Sequence, residues 1–276
     1  MRKSDDLKFD EIGNWSEIKL DIIREYATKY STILASQSNL THIYIDAFAG
    51  SGIHISKKTG DFVKGSPLNA LLINPPFSQY YLIDIDKQRI DFLKENIGDR
   101  SDVHIYEGDC NEILLTQVFP KVKYKDYRRG LCILDPYGLH LDWKVIRTAG
   151  QMNSIDIFIN FPVMDINRNA LWREPERVPS NGIHRMNIFW GDESWRSIAY
   201  STTSNFFGFP EKEDNATIVK AFRKRLQEVA GFKIVPKAHP MYNSRGAVIY
   251  YLIFASQKPV ALNIINHIFK KYSKFE

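Results

Sequence analysis

Only two of the 276 residues are cysteine, Cys110 and Cys132. So low a count excludes a disulfide framework and a cysteine-rich metal site, and it points to a reducing, cytoplasmic setting. No apolar run reaches the roughly 18 residues of a membrane span. The opening MRKSDDLKFDEIG lacks the apolar segment of a secretory signal. The seven histidines show no metal-ligand spacing, so no metal is expected. Internal repeats and low-complexity tracts are missing as well. Against these absences, 44% of the chain is apolar and 13% aromatic, which is ample for a packed core. The length suits one large α/β domain, or one domain carrying an insertion.

Charge is unevenly spread. Residues 1–162 carry 20 Lys and Arg against 22 Asp and Glu, a net of −2; residues 163–276 carry 17 against 10, a net of +7. A near-neutral half joined to a basic half suggests a polyanionic partner, RNA or DNA, or else a solvated basic surface.

The periodicities predict an amphipathic helix over 14–35, with Trp15, Ile18, Ile22, Ile23, Tyr26, Tyr30 and Ile33 on one face and Asn14 as its N-cap. A buried strand over 42–46 runs into Ala-Gly-Ser-Gly. A polar loop, His54 to Lys64, follows, and Ser66 and Pro67 open a helix. Its length favours a substrate or partner role over mere linkage. Further strands are expected at 80–85, 103–106, 130–134 and 154–161, with helices at 87–97 and 111–119. This alternation predicts a doubly wound, mostly parallel sheet whose site lies at the carboxyl edge. Residues 163–214 break the rhythm as a basic, aromatic-rich helical insertion, interleaving Arg168, Trp172, Arg173 and Arg177 with later tryptophans. Those side chains could clamp single-stranded nucleic acid, form a satellite core or bind a protein. A helix at 216–230 carries Ile218, Val219, Phe222, Leu226 and Val229 inward and Lys220, Arg223, Lys224 and Arg225 largely outward. Strands at 232–235 and 247–255, paired at one edge, and a helix at 260–272 complete the chain. The resulting divisions are an N-terminal helical segment (1–39), the core (40–162), the insertion (163–214) and a completing unit (215–276).

Chemistry concentrates at the strand ends. Asp46-Ala47-Phe48-Ala49-Gly50-Ser51-Gly52 is a tight turn in which two glycines let backbone N–H groups approach a ligand. Asp84 closes the second strand, where an acid can accept hydrogen bonds from ribose hydroxyls. Asp109 and Cys110 follow the third, and Asp135-Pro136-Tyr137 the fourth. Here the sequence resembles the class I S-adenosylmethionine-dependent methyltransferases over residues 40–162. The resemblance implies that the glycine turn, Asp46 included, lies under the methionine part of the cofactor, that Asp84 binds its ribose, and that Asp109, beside Cys110, binds the adenine amino group. A nicotinamide-dependent oxidoreductase is the competing assignment; it usually wants a third glycine, where Ile55 stands.

Methyltransferases acting on exocyclic base amino groups carry Asp/Asn-Pro-Pro-aromatic at the fourth strand end, and Asp135-Pro136-Tyr137 is similar. It lacks one proline, and Gly138 follows the ring. The resemblance implies that Asp135 and Tyr137 orient an acceptor amino group, on a flipped-out base where the substrate is a duplex. Equally, the segment could finish a strand, with Tyr137 lining the cofactor pocket.

The layout also resembles the three-Cys-motif partner protein family. The points of likeness are the helix around Trp15 to Tyr30, the glycine turn, Lys64-Gly65-Ser66-Pro67, Asp135-Pro136-Tyr137-Gly138 and Asn160-Phe161-Pro162. This resemblance implies a prokaryotic, methyltransferase-like protein of mobile or defence-like gene neighbourhoods, with a companion radical-S-adenosylmethionine-like protein bearing three cysteines. Either an active methyltransferase or a catalytically weak or inactive cofactor-binding subunit of that companion fits.

Overall fold

A computed structural model describes residues 9–201 and 211–273. The expected segments 1–39, 163–214 and 215–276 therefore each fall partly outside the described residues.

Seven strands form the central sheet: β1 (Thr41–Asp46), β2 (Gln79–Asp84), β3 (Val103–Glu107), β4 (Arg128–Leu134), β5 (Ile155–Phe161), β6 (His239–Tyr242) and β7 (Val248–Ala255). Their spatial order is β6-β7-β5-β4-β1-β2-β3. The first five run parallel, while β7 is antiparallel to both β5 and β6. The expected α/β fold is therefore present: a Rossmann-like, mostly parallel sheet with an antiparallel C-terminal strand pair. The chain order reverses at β1, between β4 and β2, and a crevice opens there beyond the carboxyl ends.

The helices are α1 (Asn14–Ala35), α2 (Ser66–Leu71), α3 (Lys87–Ile97), α4 (Cys110–Ile113), α5 (Trp143–Met152), α6 (Val163–Asn169), α7 (Ser180–Trp190), α8 (Trp195–Ala199), α9 (Asn215–Glu228) and α10 (Pro259–Tyr272). Alternation along the parallel strands feeds two cores. Ile43 and Ile45 of β1 join the core under α5, α7 and α9, while Tyr44 joins the one under α1, α2 and α10.

Several expectations are corrected. The segment from Ile53 is a β-hairpin, Ile53–Ser56 against Phe62–Lys64, and Glu11–Ile12 adds a third, parallel strand to it. Alternation there is too short to register as strand. α1 and α2 are capped by the extended residues Gly13 and Gly65, not by Asn14 and Ser66 side chains. Helix 111–119 starts at Cys110 and loosens into a π-turn at Leu114–Val118. The partner of β7 is His239–Tyr242; residues 232–235 contribute only an Ile234–Ser256 bridge. Val229 is exposed, because α9 has ended by then. Arg223 and Arg225 turn inward: the first donates to the carbonyls of Pro236 (2.6 Å) and Val235 (2.8 Å), the second to that of Trp190 (2.7 Å). Cys132 lies inside β4, and both cysteines are buried free thiols. Among the described residues no helix is long and apolar enough to cross a membrane.

Candidate active site

β1 delivers Asp46 to the crevice fully buried. Its carboxylate accepts the Phe48 N–H at 3.2 Å and the Tyr44 hydroxyl at 3.4 Å. Burial pushes it up to about 6, against hydrogen bonds from Ser66 and the Phe48 N–H, and the charges of Asp135 and Asp84 add to the rise. The turn beyond it has two glycines at positive φ, 61° at Gly50 and 78° at Gly52, with different reasons for each. A Cβ on Gly52 would meet Leu93 at 2.7 Å and Leu68 at 3.1 Å, so this glycine allows the turn to pack on α3 and α2. A Cβ on Gly50 would meet nothing within 4 Å; it would stand in the crevice. The Gly50 N–H donates to Asp84 at 2.8 Å, tying the ends of β1 and β2 together.

Two cavities flank this turn. The first, about 460 Å³, lies over β1, β2 and β3 between Phe48, Asp84, Ile85, Asp109, Tyr137 and His140. Asp84 spends part of its acceptor capacity on the N–H groups of Gly50 and Asp86, and a carboxylate retains sites beyond two. Ile85 next to it is 75% exposed, an apolar face turned into a cavity rather than a core. Asp109 caps α4 by accepting from Asn111 at 2.6 Å. Burial pushes the Cys110 thiol up to about 12, so it stands there as a neutral, inert group.

The second cavity, about 470 Å³, opens over β1, β4 and β5. Asp135, Pro136 and Tyr137 form one wall; Trp15, Tyr250 and Met164 supply apolar surface; His54 and Asn160 bring polar atoms. The buried Nδ1 of His54 and Oδ1 of Asn160 have no hydrogen-bond partner. Lys19, buried on α1, forms an ion pair with Asp135 and lies 5.3 Å from the centre of the Tyr250 ring. Burial works against the Lys19 charge, but the Asp135 carboxylate outweighs it, and the net shift is upward.

Tyr137 separates the cavities and lines both. Its side chain is presented outward, 71% exposed, with the hydroxyl donating to Asp10 (2.8 Å) and accepting from Arg89 (3.0 Å). The loop behind it explains the glycine that follows. Gly138 has φ 147°, and a Cβ there would lie 2.6 Å from the Asp165 carboxylate, which also accepts the Leu139 N–H at 3.3 Å. Asn111 fixes the rest of the loop, donating to the His140 carbonyl (3.1 Å) and accepting the Asp142 N–H (2.8 Å).

The structure thus gathers Ala47, Phe48, Gly50, Asp84, Asp109, Cys110 and Asp135–Tyr137 along the lining of the two cavities, with the buried Asp46 and Gly52 behind it. Of the basic, aromatic insertion, Arg168 lines the second cavity. Trp172 uses its indole N–H on the Arg168 carbonyl (2.7 Å), and Arg177 pairs with Glu174 (2.7 Å), both outside the cavity lining. Arg173 is exposed. Trp190 and Trp195 are wholly buried in the main core and offer no face for stacking. Sequence reasoning missed Lys19, Ile85, Arg89, Tyr250 and the cavity role of Asn160. A lysine on the apolar face of α1 was the one available signal for Lys19.

No protein-family model matches the chain, and no curated protein matches it in sequence. Solved structures share its fold. Protein LPL1258 from Legionella pneumophila superposes with a TM-score of 0.55 at 12% identity, over 93% of this chain and 92% of that one. Weaker likenesses include S-adenosylmethionine-dependent methyltransferases from Mesorhizobium loti (TM-score 0.39, 11% identity, 83% of this chain and 97% of that one) and Aquifex aeolicus (0.32, 12%, 90% and 98%).

Proposed function

We propose that the protein is an S-adenosylmethionine-dependent methyltransferase acting on an amino nitrogen of a nucleobase. The observation that carries this reading is the pair of cavities meeting at Phe48 and Tyr137, with Asp46, Asp84 and Asp135 converging on the turn between them. Asp46 and Asp84 beside a backbone turn, with Asp135 already paired to Lys19, suit a cationic cofactor. They oppose the pyrophosphate of a nicotinamide dinucleotide. The segment after Gly52 adds to that opposition: it is a hairpin, not a helix N-terminus of the kind that holds a pyrophosphate.

In this assignment the adenosine occupies the cavity of Ile85, with Asp84 holding the ribose hydroxyls and Asp109 the adenine amino group, while Gly50 leaves room for the methionine part. Bound S-adenosylmethionine supplies an activated methyl group on a sulfonium. The chain's task is therefore alignment. Asp135 accepts a hydrogen bond from the acceptor amino group and directs its lone pair toward the shared edge of the cavities. The Tyr137 ring and Trp15 give the base apolar faces, and the walls exclude water. The neutral His54 imidazole, whose pKa burial lowers, is available to take the proton that the nitrogen sheds.

The resemblance to the three-Cys-motif partner family adds a three-cysteine companion protein to this reading. Each stretch that carries it sends residues to the second cavity: Trp15, Ser16 and Lys19 from the helix around Trp15 to Tyr30, Phe48 to Gly50 from the glycine turn, Ser66 from Lys64–Pro67, Asp135 to Tyr137, and Asn160 and Pro162. The first test is calorimetry with S-adenosylmethionine: micromolar binding lost in Asp84→Ala supports the reading, and no binding by the pure wild-type protein refutes it. Mass spectrometry of nucleosides from cells with and without the gene then identifies the methylated atom.

A further inference from the structure

Beside the second cavity lies an open groove of about 910 Å³. It is bounded by the turn of the Ile53–Lys64 hairpin on one side and by the β6–β7 turn on the other, and Gly13 and Trp15 line both groove and cavity. We propose that this groove binds the backbone of single-stranded nucleic acid next to the nucleotide whose base enters the second cavity. The inference rests on the methyltransferase reading for the identity of that base, and it goes beyond it in placing the strand.

The groove lining contains Lys57 and Lys58 and no acidic residue; the nearby carboxylates of Asp10 and Glu11 line the cavity instead. Arg245 sits in the opposite turn, between the lining residues Ser244 and Gly246. Among the described residues, none of these three cations forms an ion pair, although cations elsewhere on the surface pair with neighbours. Both walls are pre-formed. The Lys57 N–H donates to the Ile12 carbonyl (2.9 Å), and the Ser56 hydroxyl, anchored on Glu17 (2.7 Å), accepts the Lys58 N–H (3.3 Å). Opposite them, the Asn243 side chain accepts the N–H groups of Arg245 (2.9 Å) and Ala247 (3.0 Å). Cations without an ion pair among the described residues can neutralise phosphates without giving up a protein partner, and Tyr242 and Trp15 offer rings on which bases stack. Cations on the two rims with rings between them are the pattern by which proteins hold single strands, so a single strand is the occupant. The hairpin that lengthens the connection after the glycine turn then has a purpose, and the polyanion contacts are shared between its Lys57 and Lys58 and Arg245 of the basic C-terminal half.

The test uses the full chain and a fluorescein-labelled single-stranded RNA or DNA oligonucleotide of mixed sequence, read by anisotropy over a salt series. Lys57→Ala/Lys58→Ala/Arg245→Ala is expected to weaken binding at least tenfold near 0.1 M salt and to flatten the dependence of log affinity on log salt by about two to three. Tyr242→Ala is expected to cost about tenfold with the slope unchanged. S-adenosylmethionine affinity, measured in parallel, should match wild type in both variants, which separates the groove from folding and from the cofactor reading. An unaltered affinity and slope in the triple variant overturns the proposal, as does displacement of the oligonucleotide by a polyglutamate peptide as effectively as by unlabelled strand.

Discussion

The Lys19 ammonium rests on the Asp135 carboxylate across 116 positions of sequence, joining α1 to the end of β4. The two partners are unequally buried, with the Lys19 side chain 10% exposed and that of Asp135 30%. Removing one partner of a buried pair leaves the other charge uncompensated. Asp135→Asn strands the deeper charge and should cost about 3 kcal/mol; Lys19→Met leaves a carboxylate that cavity water can reach and should cost about half as much. The double variant should recover most of the loss. Urea melts of the four proteins check this ordering, and a costlier Lys19→Met would contradict it. Under the methyltransferase reading proposed above, Lys19 is a positioning residue for Asp135. Lys19→Met should retain cofactor affinity while turnover falls on the order of 100-fold, the usual penalty for a displaced reacting group.

The glycine turn divides into two different constraints. Gly52→Ala forces a Cβ onto Leu93 and Leu68 and should lower stability by about 2–3 kcal/mol, visible as a drop in Tm. Gly50→Ala meets only the backbone cost of its positive φ, about 1 kcal/mol, and puts a methyl group into the crevice. It should fold and lose S-adenosylmethionine affinity at least tenfold in calorimetry. If both variants instead lose stability equally and keep cofactor affinity, Gly50 has no contact with the cofactor.

Tyr137 has two separable parts. Tyr137→Phe removes the hydroxyl shared by Asp10 and Arg89, but these two remain paired directly at 3.0 Å. Stability should change by less than about 1 kcal/mol and activity by only a few-fold. Tyr137→Ala removes the ring between the cavities and should lower turnover far more, with KM for the nucleic acid rising. Equal effects of the two substitutions would mean that the tether, not the ring, is what the site uses.

The parallel strands were legible because β-branched and apolar runs end at acids and glycines, and those endings line the first cavity and its turn. The hairpin after Gly52 was not, since its strands are three and four residues long, with an exposed Phe62 and alternation too short to register. β6 contains Pro240 and reads as a breaker; it is tolerated because β6 is an edge strand. In the second cavity, Lys19 and Asn160 come from elements far apart in sequence, and Gly138 looked like a departure from a motif until Asp165 supplied its steric reason. Residues that matter through proximity leave little local signal.

Asp156 offers a pH test independent of the site. Buried in β5, it accepts the Tyr26 hydroxyl at 2.9 Å, and burial raises it to about 6 although hydrogen bonds from Ser256 and Tyr26 work the other way. The folded protein therefore holds this proton more tightly than the unfolded chain, whose carboxyl titrates near 3.8. Between these values the native state binds more protons, so stability from this group falls as pH rises from about 4 to about 6 and is level above. The full span is on the order of 3 kcal/mol. Asp46 contributes a slope of the same sign, and the buried His239, lowered to about 4, one of opposite sign. A comparison with Asp156→Asn cancels both. The amide fills the same space, can still accept from Tyr26, and does not titrate. Urea melts at pH 4.5, 5.5 and 7.5 should show the variant gaining on wild type as pH rises, by about 2 kcal/mol in all. Parallel pH profiles would mean that Asp156 titrates alike in the folded and unfolded chains.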